Sequence, residues 1–286
     1  MGWEISNKTV VITGGTSGIG LAAAIELSKQ GAKVFITSRS QESAAQTAEE
    51  ITAVSGNPVH GFALDLANIA SIRRSAKNIS QRAPMVDVLV NNAGIIVGKR
   101  KETSNGVELT FATNYLGPFL LTQLLTPQLK AAGAARILNL SSELYRNAKS
   151  GLDFTNLQLD KGYSPSRAYA NSKLAVMLFT GELRKRLGDS GISAFAIHPG
   201  VIRSNFGTGQ DSSLSMKLAM KFLGPILKSP ATGAATTVRL ATAPLDSLGA
   251  SWYWSESKPT DIDPIALDGK QSTQLWEISE SILAKE

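Results

Sequence analysis

The chain has 286 residues, of which 43% are hydrophobic and 18% are charged, a composition that supports a large buried core and excludes intrinsic disorder. Its net charge is +6 at pH 7, but the basic residues are scattered, and the longest cluster, Lys99 to Lys101, predicts a solvated loop rather than a nucleic-acid-binding surface. The absence of cysteine excludes disulfides, thiol catalysis and thiolate-bound metals, and it favours a cytoplasmic location.

Short apolar segments alternate with longer amphipathic segments along the whole chain. The apolar segments predict strands at Thr9–Thr13, Lys33–Thr37, Val59–Leu64, Val86–Val90, Ala135–Leu140, Ile192–Ile197 and Ser251–Trp254. The amphipathic segments predict helices at Gly18–Gln30, Glu42–Val54, Ile69–Arg82, Thr113–Ala131, Ser166–Leu187 and Ser272–Ala284. Val/Ile/Leu strands joined by helical crossovers form parallel sheets covered on both faces. The sequence therefore predicts an α/β protein with a doubly wound, Rossmann-type parallel sheet, in a single domain over residues 1–286.

The first predicted strand runs into a helix through a glycine-rich turn, Thr13–Gly20. Glycines let the backbone approach a pyrophosphate closely, and a helix N-terminus supplies free N–H groups and a positive dipole end. In this strand–turn–helix context, the turn predicts a dinucleotide-binding site rather than an ordinary loop. The candidate cofactor contacts in the turn are Gly14, Ser17, Gly18, Ile19 and Gly20. The spacing Gly-x-x-x-Gly-x-Gly resembles that of the short-chain dehydrogenase/reductase family.

Ser38 and Arg39 follow the second predicted strand. Enzymes that use NAD usually carry Asp or Glu here, where the carboxylate binds the ribose 2′-hydroxyl. A guanidinium at this place can instead pair with a 2′-phosphate. Arg39 therefore predicts NADP(H) as the cofactor; the alternative is that Arg39 is a surface residue at the start of a loop.

Asp65 and Leu66 follow the third predicted strand, and the segment Asn91–Gly94 follows the fourth. In the family, both motifs line the adenosine half of the cofactor: the aspartate caps the adenine amino group, and the Asn-Ala-Gly segment lines the ribose. The resemblance gives candidate contacts at Asp65, Leu66, Asn91, Ala93 and Gly94. A buried Asn91 that ties two strands together would leave the same sequence pattern, and both interpretations stay open.

Tyr169 and Lys173 match the family's Tyr-x-x-x-Lys motif. Residues four apart lie on one face of a helix, so the ammonium of Lys173 is expected beside the phenol. Free tyrosine has a pKa of about 10. A neighbouring ammonium and the charge of an oxidised nicotinamide favour the phenolate, which would make Tyr169 a workable general acid or base.

Two more residues receive catalytic roles from the resemblance. Ser142 follows the fifth predicted strand and aligns with the family's serine, which holds the substrate oxygen beside the tyrosine; Ser141 is the alternative. Asn114 matches the family's asparagine, which bends a helix and holds a water that reaches the lysine. Both are predicted to join Tyr169 and Lys173 in the catalytic set.

The sixth predicted strand is followed by the segment Pro199–Ser204, where the family holds the nicotinamide. The resemblance implies that the backbone of Ile202 anchors the carboxamide. It also makes Pro199, Gly200 and Ser204 candidate cofactor contacts, with Ser204 in place of the more usual threonine.

Ser142 and Tyr169 are 27 residues apart, more than most of the family needs, because Arg146–Tyr163 forms an insertion. This insertion, the strand end His198–Val201 and the segment Ser251–Trp254 resemble the retinol dehydrogenase-like branch. The resemblance implies an apolar ketone, aldehyde or alcohol as the substrate.

The segment 205–228 comes directly after the expected nicotinamide anchor. Leu214, Leu218 and Phe222 recur every four positions, as on one face of a helix. We expect this segment to form a lid over a bulky apolar substrate. A plain helix packed on the sheet and a surface helix that contacts anionic membrane are the alternatives.

Other classes of function are less favoured. His60 and His198 are the only histidines and are too isolated to predict a metal site. The resemblance leaves a homodimer or homotetramer open, paired through the helices near Thr113–Ala131 and Ser166–Leu187. A catalytically silent NADP-binding sensor or scaffold of the same fold is the alternative function, but the intact set of four catalytic candidates favours an enzyme.

Overall fold

A single sheet forms the centre of the computed structural model, which describes residues 3–202 and 228–285. Its strands are β1 (Thr9–Ile12), β2 (Lys33–Ser38), β3 (Val59–Ala63), β4 (Val88–Asn91), β5 (Ala135–Leu140), β6 (Ile192–His198), β7 (Tyr253–Ser255) and β8 (Lys258–Pro259). They lie in the order β3-β2-β1-β4-β5-β6-β7-β8, and all neighbouring strands are parallel except β7 and β8. The predicted parallel sheet is confirmed, and β8 adds a short antiparallel edge that was not predicted.

The described helices are α1 (Gly18–Lys29), α2 (Gln41–Ser55), α3 (Ile69–Arg82), α4 (Gly117–Ala131), α5 (Pro165–Leu187), α6 (Pro230–Thr242) and α7 (Gly269–Leu283). The six helices predicted from the amphipathic segments are present, but α6 was missed. Its buried face consists mostly of small or polar residues such as Gly233, Ala234 and Thr237, which give a weak apolar pattern and include poor helix formers, and tertiary packing stabilises it instead. A Cβ on Gly233 would lie 3.1 Å from Ile19 Cγ1 and 2.8 Å from Ile202 Cγ1, so glycine allows a close approach there. Among these helices, none combines the length and hydropathy that crossing a bilayer requires.

Two apolar cores cover the two faces of the sheet, because successive strand residues point to opposite sides. Val11 belongs to the core that is shared with α3, α4, α5 and α7. Its neighbours Val10 and Ile12 belong to the core that is shared with α1, α2 and α6. All three side chains are fully buried, as expected for a central strand of a parallel sheet.

The chain reverses its direction of travel across the sheet between β1 and β4. From β1 it proceeds outward to β2 and β3, then returns to place β4 on the other side of β1. In sheets of this kind, ligands bind in the crevice beyond the carboxyl ends of the strands at such a switch point. Most of the predicted cofactor motifs, and Ser142, follow the carboxyl ends of strands in this sheet, whereas Asn114, Tyr169 and Lys173 lie on helical segments.

The C-terminal helix α7 packs along α5 and reaches α4. The ring centroid of Trp276 lies 4.8 Å from that of Phe119 on α4 and 5.9 Å from that of Phe179 on α5. The Arg186 guanidinium carbon lies 4.3 Å from the Trp276 ring. Copies of the chain that pair through α4 and α5 would have to accommodate this helix, so the homodimer or homotetramer stays a prediction.

We predict that Trp276→Ala weakens the docking of α7. The change removes aromatic contacts with two helices and should lower the free energy of unfolding by about 3 kcal/mol, measured by urea denaturation. Glu277→Ala, at an exposed position of the same helix, is the control and should change it by less than about 0.5 kcal/mol. Similar small losses in both variants would contradict a stabilising role for the Trp276 contacts.

Candidate active site

The glycine-rich turn after β1 has a backbone conformation that residues other than glycine rarely adopt. Gly14 and Gly18 have φ angles of 65° and 55°, in the left-handed region. A Cβ on Gly20, in the first turn of α1, would lie 2.3 Å from the Gly14 carbonyl oxygen. The turn therefore folds directly onto the start of α1, and this close approach requires glycine.

The N-terminus of α1 is open where this turn ends. Ser17 is exposed at the N-cap position, and its side chain makes no capping hydrogen bond. In contrast, the side chains of Ser40, Asn68 and Ser164 cap α2, α3 and α5. The free N–H groups and the positive dipole end of α1 fit the pyrophosphate of a dinucleotide.

Asn92 holds the turn against the end of β4, a role that the sequence analysis missed. Its Nδ2 donates to the Thr13 carbonyl oxygen at 2.7 Å. Thr13 Oγ1 accepts hydrogen bonds from the backbone N–H groups of Asn92 and Ala93, at 2.9 and 3.0 Å. The pair of asparagines in the motif was the available signal, but only the first of them was chosen as a cofactor contact.

Asn91 lies in a buried hydrogen-bond network between elements. Its Nδ2 donates to Asn139 Oδ1 at 2.8 Å and to Thr122 Oγ1 at 3.0 Å. Asn139 in turn donates to Thr180 Oγ1 at 3.0 Å. The network joins α4, β4, β5 and α5, so the structural interpretation of Asn91 is confirmed; its contact with the cofactor stays a prediction.

Arg39, Asp65 and Leu66 lie beyond the carboxyl ends of β2 and β3. The Arg39 side chain is exposed and has no hydrogen-bond or ion-pair partner among the described residues. Asp65 Oδ1 accepts from the Ala67 N–H at 2.9 Å. The Leu66 side chain is buried in the core. Arg39 thus leaves a free cation at the edge of the crevice, whereas Asp65 already orders its own loop.

Tyr169 and Lys173 lie in the second and third turns of α5. Helix α5 begins at Pro165, and Ser164 caps it by accepting from the Arg167 N–H at 3.2 Å. The Lys173 Nζ lies 5.6 Å from the Tyr169 ring centroid and donates to the Leu140 carbonyl oxygen at 2.7 Å. The two side chains are only 9% and 4% exposed. The predicted juxtaposition of phenol and amine is therefore present in the structure, at the end of β5.

The two serines after β5 have different partners. The Ser142 hydroxyl hydrogen-bonds the Tyr169 hydroxyl and also accepts from the Leu144 N–H at 3.3 Å. The Ser141 hydroxyl donates to the Lys173 carbonyl oxygen at 3.0 Å, inside the protein. Of the two candidates, only Ser142 lies beside the phenol.

Burial governs the ionisation of the Tyr–Lys pair. It raises the pKa of Tyr169 to about 12, although the hydrogen bond with Ser142 acts in the opposite direction. Burial also lowers the pKa of Lys173 to about 8. The ammonium of Lys173 was expected to lower the pKa of Tyr169, but desolvation outweighs this effect in the protein alone, since burial disfavours both charged forms. The phenol is therefore protonated at neutral pH.

Asn114 lies in a π-helical segment, Ala112–Leu116, that leads into α4. Its Oδ1 accepts from the Ile95 N–H at 2.7 Å, and its Nδ2 donates to the Ile95 carbonyl oxygen at 2.9 Å and to Ser172 Oγ at 3.0 Å. A Cβ on Gly94 would lie 3.3 Å from Asn114 Oδ1 and 3.6 Å from Lys173 Nζ. Asn114 thus ties the segment after β4 to α5, next to the lysine.

The segment after β6 closes the other side of the crevice. Gly200 has a φ of 86°, and Ile202 is 7% exposed and forms a parallel bridge with Lys228. Ile202 lies close to the start of α1, because Ile202 and Ile19 both border Gly233, and Pro199 and Gly200 lie between Ile202 and the end of β6. Ser204 lies outside the described residues, as does the predicted lid at 205–228 except for Lys228, which pairs with Glu256.

The insertion before α5 packs over the segment that follows β4. The Tyr163 hydroxyl donates to the Val97 carbonyl oxygen at 2.8 Å. Arg100 pairs with Asp160 and with Glu102, each at 2.5 Å. Arg100, in the basic cluster of the sequence, is thus held in ion pairs.

Among residues 3–202 and 228–285, no three His, Asp or Glu side chains group together as a metal site would require.

Comparisons with known proteins extend over almost the whole chain. A family model described as short chain dehydrogenase matches residues 8–154. Retinol dehydrogenase 12 of Bos taurus is 38% identical over 282 residues, which cover 98% of this chain and 87% of that protein. The crystal structure of an uncharacterized protein from Mycobacterium Paratuberculosis has 30% identity and a TM-score of 0.75, and the match covers 99% of this chain and 98% of that one. RhlG of Pseudomonas aeruginosa, in an active-site complex with NADP, has 26% identity and a TM-score of 0.68, covering 87% and 94% of the two chains.

We predict that Lys173→Met makes the fold more stable at pH 7. Burial lowers the pKa of Lys173 from 10.5 to about 8. Holding the protonated amine in the folded protein therefore costs about 3 kcal/mol of folding free energy. This cost is complete below pH 8, where both the folded and the unfolded state bind the proton, and it disappears as the pH rises past 10.5.

Urea denaturation at pH 7 and at pH 10 measures this effect. The stability difference between Lys173→Met and the parent should be largest at pH 7 and should shrink by pH 10. Lys77→Met, at an exposed position on α3, serves as the control and should show little difference at either pH. A less stable Lys173→Met variant at pH 7 would contradict the predicted cost of burying the charge.

Proposed function

The chain belongs to the short-chain dehydrogenase family of oxidoreductases, and from this premise we propose that it transfers a hydride between NADP(H) and an apolar carbonyl compound or alcohol. Its predicted likeness to the retinol dehydrogenases is confirmed by the relative from Bos taurus. The proposal concerns what membership alone leaves open: the cofactor, the roles of the residues and the class of substrate.

One observation carries the proposal: a protonated tyrosine, a serine that hydrogen-bonds it and a buried amine meet at the edge of the crevice. Tyr169 and Ser142 share a hydrogen bond, and the Lys173 amine lies 5.6 Å from the phenol ring. A protein that only sensed or stored a cofactor would not need to bury a lysine at a cost in stability. The cost is therefore better explained by a reaction.

Two features support NADP(H). The open N-terminus of α1 and the glycine turn suit the pyrophosphate. Arg39, which has no partner within residues 3–202 and 228–285, suits a 2′-phosphate, which offers a bidentate target to a guanidinium. The active-site complex of RhlG with NADP supports the same choice. When bound, the cofactor supplies the hydride donor or acceptor.

The protein's own residues then handle the oxygen and the proton. In the reduction of a carbonyl, the Tyr169 hydroxyl donates its proton to the substrate oxygen, and Ser142 holds that oxygen by a hydrogen bond. In the oxidation of an alcohol, the phenolate takes the proton back. Lys173, when charged, stabilises the phenolate. Because burial keeps the phenol protonated, the isolated protein is prepared for reduction at neutral pH.

Exposed apolar side chains next to these residues favour an apolar substrate. Leu144 lies two residues after Ser142 and is 49% exposed, and Val201 follows Gly200 and is 67% exposed. We infer that these two side chains offer apolar contacts to a substrate near Ser142. We propose a long aldehyde or ketone such as a retinoid, in line with the names of the relatives.

We predict that Tyr169→Phe abolishes turnover but not cofactor binding. The variant keeps the ring and loses the proton donor, so the reduction of all-trans-retinal with NADPH should fall at least about a hundredfold, while the Kd for NADPH measured by fluorescence stays within about twofold. In the parent, retinol oxidation should rise with pH, since it needs the phenolate. Parent and variant proteins that both bind NADPH without turnover would favour the sensor or scaffold alternative.

We predict that Arg39→Ala weakens NADPH binding selectively. The loss of charged hydrogen bonds to the 2′-phosphate should cost about 1.5–3 kcal/mol in binding, with the Kd for NADH nearly unchanged. Arg73→Ala removes another exposed arginine, on α3, and should leave both constants as they are. A parent protein that binds NADH more tightly than NADPH would refute the proposed cofactor choice.

A further inference from the structure

The residue after Ser142 has its side chain fixed on two sides. Glu143 Oε1 accepts a hydrogen bond from the Tyr253 hydroxyl at 2.6 Å, and its Oε2 accepts from Arg146 Nε at 2.7 Å. Tyr253 lies on β7 and is completely buried. Hydrogen bonds to an ionised carboxylate are stronger than those between neutral groups. Glu143 is therefore held between β7 and its own turn.

The backbone of Glu143 is fixed as well. Its N–H donates to His198 Nδ1 at 3.4 Å, and His198 is the last residue of β6, directly before the predicted nicotinamide anchor. An imidazole nitrogen accepts a hydrogen bond only when it carries no proton. Burial lowers the pKa of His198, which favours the neutral form. One residue thus links the ends of β5, β6 and β7.

The same turn has a second set of anchors further from Ser142. Arg146 Nη2 donates to the Asp261 carbonyl oxygen at 2.6 Å, and the Asp263 N–H donates to the Tyr145 hydroxyl at 2.9 Å. The rings of Tyr145 and Tyr253 meet edge to face, with centroids 5.7 Å apart. The short 3₁₀ turn Glu143–Asn147 is therefore fixed against the chain after β8.

We propose that Glu143 is a positioning residue for the reaction, which holds Ser142 where its hydroxyl meets both Tyr169 and the substrate oxygen. The inference depends on the proposed function of Ser142 and Tyr169. Misplacing a reacting group by about 1 Å can cost about a hundredfold in rate, and Ser142 precedes Glu143 directly. Loss of the Glu143 contacts would release the serine without removing it.

The test compares Glu143→Ala, Glu143→Gln and Tyr253→Phe with a matched control, Glu182→Gln. Glutamine keeps an oxygen that can accept from Tyr253 but loses the charge toward Arg146. Like Glu143, Glu182 binds an arginine and a hydroxyl, from Arg186 at 2.8 Å and Ser272 at 3.3 Å, but its side chain is 3% exposed against 37% for Glu143. It lies on α5, more than three turns beyond Tyr169.

The probe reaction is the reduction of all-trans-retinal by NADPH, with the reverse oxidation followed against pH. Glu143→Ala should lower kcat about tenfold or more, with little change in the Kd for NADPH. Tyr253→Phe should lower it less, and Glu143→Gln should recover most of the parental kcat. Glu182→Gln should lose stability while keeping kcat. If Glu143→Ala does not fold, Tyr253→Phe and Glu143→Gln carry the same comparison.

The pH profile separates position from charge. The bond with Ser142 lowers the pKa of Tyr169, so a displaced serine should shift the oxidation profile of Glu143→Ala to higher pH and leave that of Glu143→Gln near the parent. The titratable groups that act on Glu143 are Tyr253 on β7, Arg146 in its own turn and His198 on β6, and Tyr145 in the same turn also responds to its charge. A direct effect of the Glu143 charge would instead shift both variants to lower pH, which would overturn the inference.

Two further results would be decisive. Parental kcat in Glu143→Ala, or an equal fall in Glu182→Gln, would refute the positioning role while leaving the proposed function intact. Turnover by Tyr169→Phe at the parental rate, measured in parallel, would refute the proposed function and the inference with it.

Discussion

The buried hydrogen bond between Asn91 and Asn139 is the interaction on which the candidate site depends. At 2.8 Å it joins the ends of β4 and β5, and Thr122 and Thr180 extend it to α4 and α5. Ser142 follows β5, Tyr169 and Lys173 lie on α5, and the segment of Asn114 leads into α4. An unmade buried polar contact is expensive. The network therefore holds the four elements in one register, which fixes the spacing of the candidate catalytic side chains.

Burying the ionisable groups of this site lowers the stability of the folded protein. Burial works against the charged forms of Lys173 and Tyr169 alike, and within the protein the Leu140 carbonyl oxygen supplies the lysine with a hydrogen bond at 2.7 Å but no opposite charge. A buried group without an opposite charge lowers stability, and the large apolar cores on both faces of the sheet offset this loss. Function thus draws on stability that the rest of the fold provides, as active sites commonly do.

The sequence predicted the parts of the site that depend on local patterns. Glycine spacing and the Tyr-x-x-x-Lys motif predicted the candidate phosphate turn and the candidate catalytic helix, because each pattern lies within one turn and its helix. Sequence spacing could not decide between Ser141 and Ser142, since the choice depends on which hydroxyl points toward α5. Helix α6 was missed because its buried face is made mostly of small and polar residues, Gly233 among them, whose sequence pattern is weakly apolar. Asn92 was missed because its partner, Thr13, is 79 residues away.

The two halves of the site also differ in how far they depend on local sequence patterns or on contacts between residues distant in sequence. The half proposed for the cofactor is built from backbone, in a glycine turn and an open helix end, and backbone sites leave short motifs. The half that holds Ser142 is built from side chains whose partners are distant: Glu143 and Tyr253 are 110 residues apart. Such contacts leave no local sequence motif. Either partner can therefore be substituted without altering any of the motifs found in the sequence. Substitutions in the chain from β7 to α7 can therefore alter the position of Ser142 while every recognisable motif stays intact.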